Sequence, residues 1–344
     1  MKRVLKSSLT LGLVMFLGLT AFGQAFKMGT PISVVGEVKW GYVSTHSTTH
    51  QIYLAHGDFV DVFSPLGDRG MQILGMHGAK GLCIPRMGSK AYVSNSNSGT
   101  ISVINLTNNV VEQDIPVGEA PGFVTWDPAT HSVLVSLEKA NQLCVIQDTT
   151  YEILKNVELS GKPAEITYDG KGIAYVCIQD KDQVAVVDIT RGSISNVIDL
   201  EKGKSPTGIA YDKATQLLFV GCQNKIMEVI DTKSGQTYEK KKIGEGCGSV
   251  IFDPLGKFVY VSNSDGTLNV FKVRVGKIID ELETIKTQKG APICGIDFAA
   301  HRILIPCGDV IIPKDGKKGG QSFKPGSLSI LILERDKSVL NEPN

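Results

Sequence analysis

The segment Phe123-Val124-Thr125-Trp126-Asp127-Pro128-Ala129-Thr130-His131-Ser132-Val133-Leu134-Val135 decides the fold, because its pattern returns along the chain. Shorter copies lie at residues 166–170, 208–215 and 250–257. A β-rich run follows each copy, and then come a polar turn, a third run and a fourth run that ends in a Gly/Pro loop. Four short strands in a repeat of about 40–45 residues are typical of a propeller blade.

The repeat divides the chain into seven units, which predicts an all-β, seven-bladed β-propeller with four-stranded blades in one domain. No stretch beyond the N-terminus shows a helical period, so a parallel α/β fold is excluded. The predicted blades are residues 40–79, 80–121, 122–163, 164–206, 207–247, 248–292 and 293–336.

The last unit contains only three strand signals, and a polar tail follows at residues 337–344. A spare strand lies near the other end of the chain, at residues 31–38, just before the first unit. We expect this N-terminal strand to become the outer strand of the last blade and to close the ring. It would cover a strand edge that is otherwise open to pairing with another chain.

The composition is that of an ordinary globular protein. The 344 residues are 42% hydrophobic and 21% charged, with 36 Lys and Arg against 35 Asp and Glu. These values match the average for soluble domains. They exclude a disordered chain, a collagen-like repeat and a strongly basic nucleic-acid-binding protein.

The first 23 residues have the pattern of a secretory signal peptide. Three basic residues precede an uncharged apolar run from Leu9 to Phe22, and Ala21-Phe22-Gly23 is a small-x-small cleavage site. Cleavage at Gly23-Gln24-Ala25 is one alternative. An uncleaved anchor is another, although the run is short for a spanning helix, which needs about 20 residues. We therefore expect a periplasmic or secreted protein without a membrane span after cleavage.

Removing residues 1–23 changes the formal net charge from +1 to −2, because three basic residues and no acidic one are lost.

Seven cysteines follow the signal region, and an odd number leaves at least one thiol unpaired. Most of them lie in apolar, strand-like runs, which favours small buried hydrophobic side chains. Cys294 and Cys307 flank one predicted hairpin and are the first candidate disulfide. Cys222 with Cys247 is the second candidate, and the spacing alone leaves the connectivity open.

Three runs of one unit resemble a known repeat: Ala91-Tyr92-Val93-Ser94-Asn95, Thr100-Ile101-Ser102-Val103-Ile104-Asn105 and Ile115-Pro116-Val117-Gly118. They are similar to the YVTN repeat of YncE-like bacterial propellers. The resemblance extends over roughly residues 40–333 of the chain. This motif is specific for the fold and loose for function.

Secreted members of that family also carry motifs outside the repeat that are similar to His56-Gly57 and Gly75-Met76-His77-Gly78. Their Gly-Cys-His-Asn-Lys turn corresponds to residues 221–225, where Gln223 stands in place of His. The missing imidazole puts a metal role of that turn in doubt. The resemblance implies either single-stranded DNA binding or a periplasmic protein without known activity.

Function in a propeller normally lies at one mouth of the central channel, where the inter-blade loops meet the turns between second and third strands. The last unit alone enlarges this turn, from Asp309 to Pro325, and long loops in compact domains are usually functional or disordered. Glu165 begins an innermost strand and is expected to point into the channel. The ligand-binding candidates on or near this face are His56, Asp58, His77, Lys80, Asn95, Glu165, Gln223, Asn263, Asp309, Lys314 and Lys317.

The six histidines do not form a clear metal pattern. His56 and His77 are weak metal candidates, because two histidines without a third spaced ligand do not define a site. The remaining histidines are interpreted as turn or surface residues of the opposite face: His46, His50, His131 and His301.

The leading hypothesis is an exported, noncatalytic β-propeller that binds a small molecule or a protein partner through the loop face at its central channel. The alternative is a metal-assisted, lactonase-like hydrolase or lyase of a small polar metabolite. Its divalent metal would be held by some of His56, Glu165, Asn95 and Asn263. No other cofactor is predicted, and a monomer is expected.

Single-stranded DNA binding is the third hypothesis, and family resemblance alone supports it. Phosphate binding favours a basic groove with stacking aromatic side chains. The chain is near neutral and only 7% aromatic, so nucleic acid is not an expected partner.

Overall fold

The computed structural model of the protein describes residues 25–36, 40–86, 88–311 and 322–336. Within these ranges the chain is all-β and its paired strands are antiparallel. No helix of the described part is long and apolar enough to cross a membrane. The predicted signal peptide and the polar tail lie outside the described residues.

Two short strands open the described chain, β1 (Phe26–Met28) and β2 (Ile32–Ser33). A six-stranded sheet follows, in which each strand pairs with the next one along the chain. Its strands are β3 (Val43–Thr45), β4 (Ile52–Phe63), β5 (Arg69–Cys83), β6 (Lys90–Asn95), β7 (Thr100–Asn105) and β8 (Val110–Pro116).

Four sheets of four strands come next, and each is a meander of sequence neighbours. The first two are β9 (Pro121–Asp127), β10 (Ser132–Leu137), β11 (Gln142–Gln147) and β12 (Ile153–Glu158), and then β13 (Pro163–Tyr168), β14 (Ile173–Ile178), β15 (Gln183–Asp188) and β16 (Ser193–Asp199). The other two are β17 (Pro206–Asp212), β18 (Leu217–Cys222), β19 (Ile226–Asp231) and β20 (Gln236–Lys242), and then β21 (Cys247–Asp253), β22 (Phe258–Asn263), β23 (Thr267–Arg274) and β24 (Ile278–Lys286). A short 3-10 turn, Val275–Lys277, separates β23 from β24.

The last sheet joins the two ends of the described chain. It contains β25 (Gly295–Asp297), β26 (Arg302–Cys307) and β29 (Ser329–Arg335), and a small hairpin of β27 (Val310–Ile311) and β28 (Ser322–Phe323) lies outside it. Both N-terminal strands pair with β29: Phe26 lies opposite Arg335, and Ile32 lies opposite Ile330. The N-terminal segment therefore forms the outer edge of this blade. Of the strand expected at residues 31–38, Ile32 and Ser33 pair with β29 and the backbone N–H of Val34 donates to the carbonyl of Leu328 at 2.9 Å, whereas Glu37 and Val38 lie outside the described residues.

The structure has six blades, so the prediction of seven separate four-stranded blades is wrong. The units predicted at residues 40–79 and 80–121 form one six-stranded sheet, because β4 and β5 extend over 12 and 15 residues and continue through the expected boundary. The register shifts between Ala79 and Leu82, at the expected boundary, and again between Gly57 and Phe59, within the first predicted unit. This sheet contacts both of its neighbours, through β3 to β25 and through β5 to β9.

The core lies between the blades, because a single blade cannot bury both of its faces. Between the sheets β17–β20 and β21–β24, Phe219 and Val229 pack with Val261 and Phe271, and all four side chains are fully buried. Equivalent clusters fill the other interfaces between described blades. Each blade is therefore stabilised by its neighbours.

Hydroxyl groups also join neighbouring blades. Ser94, Ser136 and Ser262 lie one residue before the end of β6, β10 and β22, and all three are fully buried. Buried hydroxyls in proteins nearly always have a hydrogen-bond partner. Here each serine donates to a backbone carbonyl of the next blade's first segment: Gly122 at 2.5 Å, Ala164 at 2.5 Å and Ala291 at 2.9 Å.

The histidines of the opposite face are turn residues, which confirms their interpretation from the sequence. Three of them have a positive φ of the kind that tight turns require: 57° at His50, 52° at His131 and 54° at His301. His46 takes the place of the turn Asp. Its Nδ1 accepts hydrogen bonds from the backbone N–H groups of Thr48 and Thr49, at 3.2 Å each.

All seven cysteines are free thiols, so neither the predicted Cys294–Cys307 disulfide nor the alternative Cys222–Cys247 pair forms. The register of β25 and β26 pairs Gly295 with Leu304. Cys307 consequently lies beyond that pair rather than opposite Cys294. Six of the seven thiols are buried, as expected for small hydrophobic side chains.

Candidate ligand-binding site at the centre of the ring

Glu165 lies at the centre of the ring on β13, and only 3% of the residue is exposed. Strand β13 is the first strand of its blade, and the first strands of neighbouring blades contact one another. The sequence analysis expected this carboxyl to point into the channel, and the structure places it there, among groups of several blades.

Four donors surround the Glu165 carboxylate. The Tyr42 hydroxyl donates to Oε1 at 3.1 Å, and Oε2 accepts from the backbone N–H groups of Ile209 at 3.1 Å and Val250 at 3.4 Å. The Ser249 hydroxyl is the fourth donor. These donors come from the residue before β3, from β17 and from β21. The carboxylate therefore ties its own blade to three others.

Burial raises the pKa of the Glu165 carboxyl to about 7, well above its ordinary value. The hydrogen bonds from Ser249, Ile209 and Tyr42 act in the opposite direction, because they favour the charged form. Burial, with the nearby Glu165 charge as the second cause, also raises the pKa of Tyr42 well above its ordinary range. Near neutral pH, Glu165 therefore exchanges a proton while the Tyr42 phenol stays protonated.

Two lysines and one glutamate form a rim next to Glu165. The Lys80 ammonium, on β5, contacts Oε1 of Glu138, and the Lys162 ammonium lies 3.3 Å from Oε2 of the same carboxylate. Glu138 directly follows β10, and Lys162 directly precedes β13. The three side chains thus belong to three blades. The two lysine side chains are close to half exposed, so the rim is open to solvent.

These groups enclose a cavity of about 230 Å³, which we call the central cup. Its base is Glu165, and its rim is Lys80, Glu138 and Lys162. Tyr42 and Phe123 form an aromatic wall, with their rings nearly perpendicular and their centroids 5.1 Å apart. Cavities with apolar walls and a few convergent polar groups are the usual sites of small-molecule ligands.

The central cup opens on the face that carries the inter-blade loops. Lys162 belongs to such a loop, and Glu138 and Gln179 each follow the second strand of a blade. This is the face on which the sequence analysis placed the ligand-binding candidates.

A second cavity of about 420 Å³ lies on the same face, between a turn and a loop. We call it the outer notch. Residues 96–99, 116 and 118–120 line it together with Lys139. The Lys139 ammonium lies 3.5 Å from Glu119, and both side chains are largely exposed. The outer notch has no buried ionisable group in its lining, and this distinguishes it from the central cup.

His56 is buried rather than presented to solvent at the mouth, and only 2% of it is exposed. Its Nδ1 lies 2.7 Å from Oδ2 of Asp61, and Gln72 Nε2 donates to the other oxygen of that carboxylate at 3.0 Å. The ring of Phe59 packs edge-on against the imidazole, with 4.6 Å between the centroids. His56 and Asp61 are therefore buried within the six-stranded sheet. The expectation that His56 lies exposed at the mouth of the channel is corrected.

Asn95 and Asn263 are buried and support turns. Asn95 Oδ1 accepts from the backbone N–H of His77 at 3.2 Å, and its Nδ2 donates to Ser102 Oγ at 2.7 Å. Asn263 Nδ2 donates to Asn269 Oδ1 at 2.9 Å. Neither side chain lines the central cup.

Gln223 and Asp309 are also engaged within the protein. Gln223 Nε2 donates to the backbone carbonyl of Cys247 at 3.0 Å, and Asp309 Oδ1 accepts from Gln288 Nε2 at 2.6 Å. Asp309 is exposed, at the start of the enlarged turn. The structure therefore places both residues away from the central cup.

Asp58 and His77 are exposed, and neither lines the central cup. Lys314 and Lys317 lie outside the described residues. Across the described ranges, no group of three or more His, Cys, Asp or Glu side chains is arranged to hold a metal ion. His56 is paired with Asp61 instead, and His77 lies at the surface.

Of the residues that form the central cup, Glu165 and Lys80 are predicted from the sequence, whereas Tyr42, Glu138 and Lys162 are not. A positional signal could have found two of them. Glu138 immediately follows a second strand and Lys162 immediately precedes a first strand, which are the places that build the loop face. Tyr42 has no such signal, because its contact with Glu165 depends on how the blades are arranged around the centre.

No protein-family model matches the chain, and no curated protein matches it. Among solved structures, the chain is similar to hydrazine synthase of Kuenenia stuttgartiensis, with a TM-score of 0.67 and 13% sequence identity. The match covers 79% of this chain and 94% of that chain. Because the identity is this low, the similarity shows the fold alone, that of a β-propeller. In all, 1824 solved chains match, so the fold by itself does not select a function.

Proposed function

We propose that the protein is a noncatalytic β-propeller that binds a small molecule in the central cup. The observation that carries the proposal is the buried Glu165 carboxyl at the base of a cavity whose rim holds Lys80, Glu138 and Lys162. Ionisable groups that burial perturbs inside a cavity occur more often at functional sites than elsewhere.

The hydrogen bonds of Glu165 support binding rather than catalysis. Both carboxylate oxygens already accept donors from the protein, including Tyr42 and the backbone of Ile209. A general base needs an oxygen within reach of the proton that it removes from a substrate. Glu165 instead shapes the base of the cup and sets its charge.

We also propose that the protein is exported and belongs among the YncE-like propellers. The basic and apolar character of residues 1–23 supports export, and the runs at residues 91–95, 100–105 and 115–118 support the family. N-terminal sequencing of the protein recovered outside the cytoplasm should begin at or near Gln24. A sequence that begins with Met1 would contradict export with cleavage.

A fragment screen tests the binding site. A library of neutral, anionic and cationic fragments is titrated onto the protein and onto the variant Gln179→Trp, which places an indole at the mouth of the cup. We expect several fragments to bind the unmodified protein and to lose binding in the variant, because the cup is too small to hold both a fragment and the indole.

The matched control is Ser98→Trp, which places the same indole in the outer notch. Fragments that occupy the central cup should bind this variant as they bind the unmodified protein. If the fragments lose binding in Ser98→Trp and keep their binding in Gln179→Trp, the site lies in the outer notch. Absence of any bound fragment would remove the proposed function.

A further inference from the structure

We infer that the ligand of the central cup is a small organic anion, and that the Glu138 carboxylate occupies the position between Lys80 and Lys162 where the anionic group of the ligand binds. This inference rests on the proposed function of the cup and adds the chemical class of the ligand. It is carried by the arrangement of the rim, the wall and the base.

The rim is an anion-binding arrangement. Lys80 contacts one oxygen of Glu138 and Lys162 contacts the other, so the carboxylate bridges the two ammonium groups. Hydrogen bonds between ammonium and carboxylate are among the strong ones in proteins. Two cations share one internal anion, which leaves the rim with an excess of positive charge. A second carboxylate can therefore bind there beside Glu138 or replace it.

The Glu138 carboxylate also lies close to the backbone at Gly122. A Cβ atom placed on Gly122 would lie 2.3 Å from Oε1 of Glu138, which is closer than such atoms approach each other. Gly122 therefore allows the carboxylate to lie against the backbone at the rim.

The wall selects an apolar body for the ligand. The rings of Tyr42 and Phe123 meet at the side of the cup, and Ile293 extends this apolar surface. Aromatic rings pack well against one another in edge-to-face or offset arrangements. A flat ring or a short alkyl chain attached to the anionic group fits a cavity of about 230 Å³.

The base does not favour a cationic ligand. The oxygens of Glu165 accept from Tyr42 on one side and from backbone N–H groups on the other, so the protein itself supplies the donors that this carboxylate needs. A ligand ammonium would have to displace one of these donors. The only charged groups of the cup that face solvent are then those of the rim, where positive charge is in excess.

Three probes of similar size and different charge test the inference: benzoate, benzamide and benzylammonium. Their affinities are measured by calorimetric titration on the protein and on the variants Glu138→Gln, Lys80→Met and Lys162→Met. We expect benzoate to bind about tenfold more tightly in Glu138→Gln, which removes the competing charge, and about tenfold more weakly in either lysine variant. Benzamide should change by less than about twofold, because it carries no charge.

The matched control is Glu119→Gln, which neutralises the exposed partner of Lys139 in the outer notch. It should leave benzoate affinity unchanged, and thermal unfolding of every variant checks that the fold is kept. If benzamide or benzylammonium binds as tightly as benzoate and Gln179→Trp still blocks it, the cup remains a binding site and the anion inference is wrong. Weaker benzoate binding in Glu138→Gln, or no binding of benzoate at all, also overturns the inference, whereas the fragment screen decides the proposed function separately.

Discussion

The hydroxyl oxygen of Tyr42 lies 3.1 Å from Oε1 of Glu165, although 123 positions separate the two residues in the sequence. This hydrogen bond crosses the centre of the ring, from the residue before β3 to the first strand of another blade. It links the stability of the ring to the base of the central cup. A change at either residue is therefore expected to alter both.

Replacing Tyr42 with Phe should destabilise the protein by about 1–3 kcal/mol, because a buried carboxylate loses a donor. Urea unfolding near neutral pH measures the change. The control is Tyr238→Phe, whose side chain is exposed and should contribute little. Equal stability of Tyr42→Phe and the unmodified protein would contradict a stabilising role of this hydrogen bond.

The stability of the protein should fall as the pH rises through the range below 7, and Glu165 is the cause. Its pKa is about 7 in the folded state and about 4.3 in an unfolded chain, so the folded state binds the proton more tightly between these values. The stabilising contribution of the Glu165 carboxyl is therefore fully present below about pH 4.3, the pKa in the unfolded chain, and is lost as the pH rises to about 7, the pKa in the folded state. The loss is on the order of 3 kcal/mol.

The measurement is urea unfolding at several pH values, for the protein and for Glu165→Gln, and the readout is the slope of stability against pH. The slope due to Glu165 should disappear in the variant and persist in the exposed control Glu119→Gln. Burial keeps the pKa of Tyr42, Cys177, Cys247 and Cys294 above this range, so these neighbours do not titrate in it. An unchanged slope in Glu165→Gln would assign the effect to groups other than Glu165.

Replacing Asp61 with Asn should cost about 1–3 kcal/mol of stability, because a neutral amide replaces the buried carboxylate that contacts His56 Nδ1 at 2.7 Å and accepts from Gln72 Nε2 at 3.0 Å. Thermal and urea unfolding both report this change. Asp58→Asn is the matched control, since Asp58 lies three positions earlier on the same strand and is exposed. Benzoate binding should be the same in both variants. A loss of binding in Asp61→Asn with the fold retained would bring His56 back into the functional site.

Truncating Phe26 to Ala should destabilise the whole protein by about 3–5 kcal/mol, because a buried aromatic side chain is lost. Phe26 packs on Phe258 and Tyr260, with ring centroids 5.9 and 5.7 Å away, and thereby fixes β1 against its neighbours. Met28→Ala on the same strand is the control, because 47% of Met28 is exposed. Similar unfolding midpoints for the two variants would show that β1 does not stabilise the ring.

The fold was largely predictable from the sequence because each blade is a local structure. The turn that contains Asp127 and His131 is repeated with small changes, and its geometry depends on neighbouring residues alone. The blade count was not predictable, since the break between the first two units depends on how β4 and β5 pair. Polar and glycine residues interrupt the apolar pattern around Gly57 and around Ala79, yet the strands continue through both places, so the pattern does not show where one sheet ends.

The central cup was only partly predictable. The position of Glu165 follows from its place in a first strand, which is local information. Its partners come from other blades, so no spacing in the sequence brings Tyr42 or Val250 next to it. His56 illustrates the opposite case. A His-Gly-Asp turn indicates an exposed group, yet Asp61 five residues further on supplies a buried partner.

The pairing of β1 with β29 also constrains the order of events during synthesis. Residue 26 leaves the ribosome long before β29, the strand with which it pairs, so ring closure has to wait until the blades between them have been synthesised. Contacts between such distant segments are slow to form. Until then the chain remains an open and incompletely folded array. Pulse-labelled hydrogen exchange should show protection of β29 after protection of the middle blades, and early protection of β29 would contradict this order.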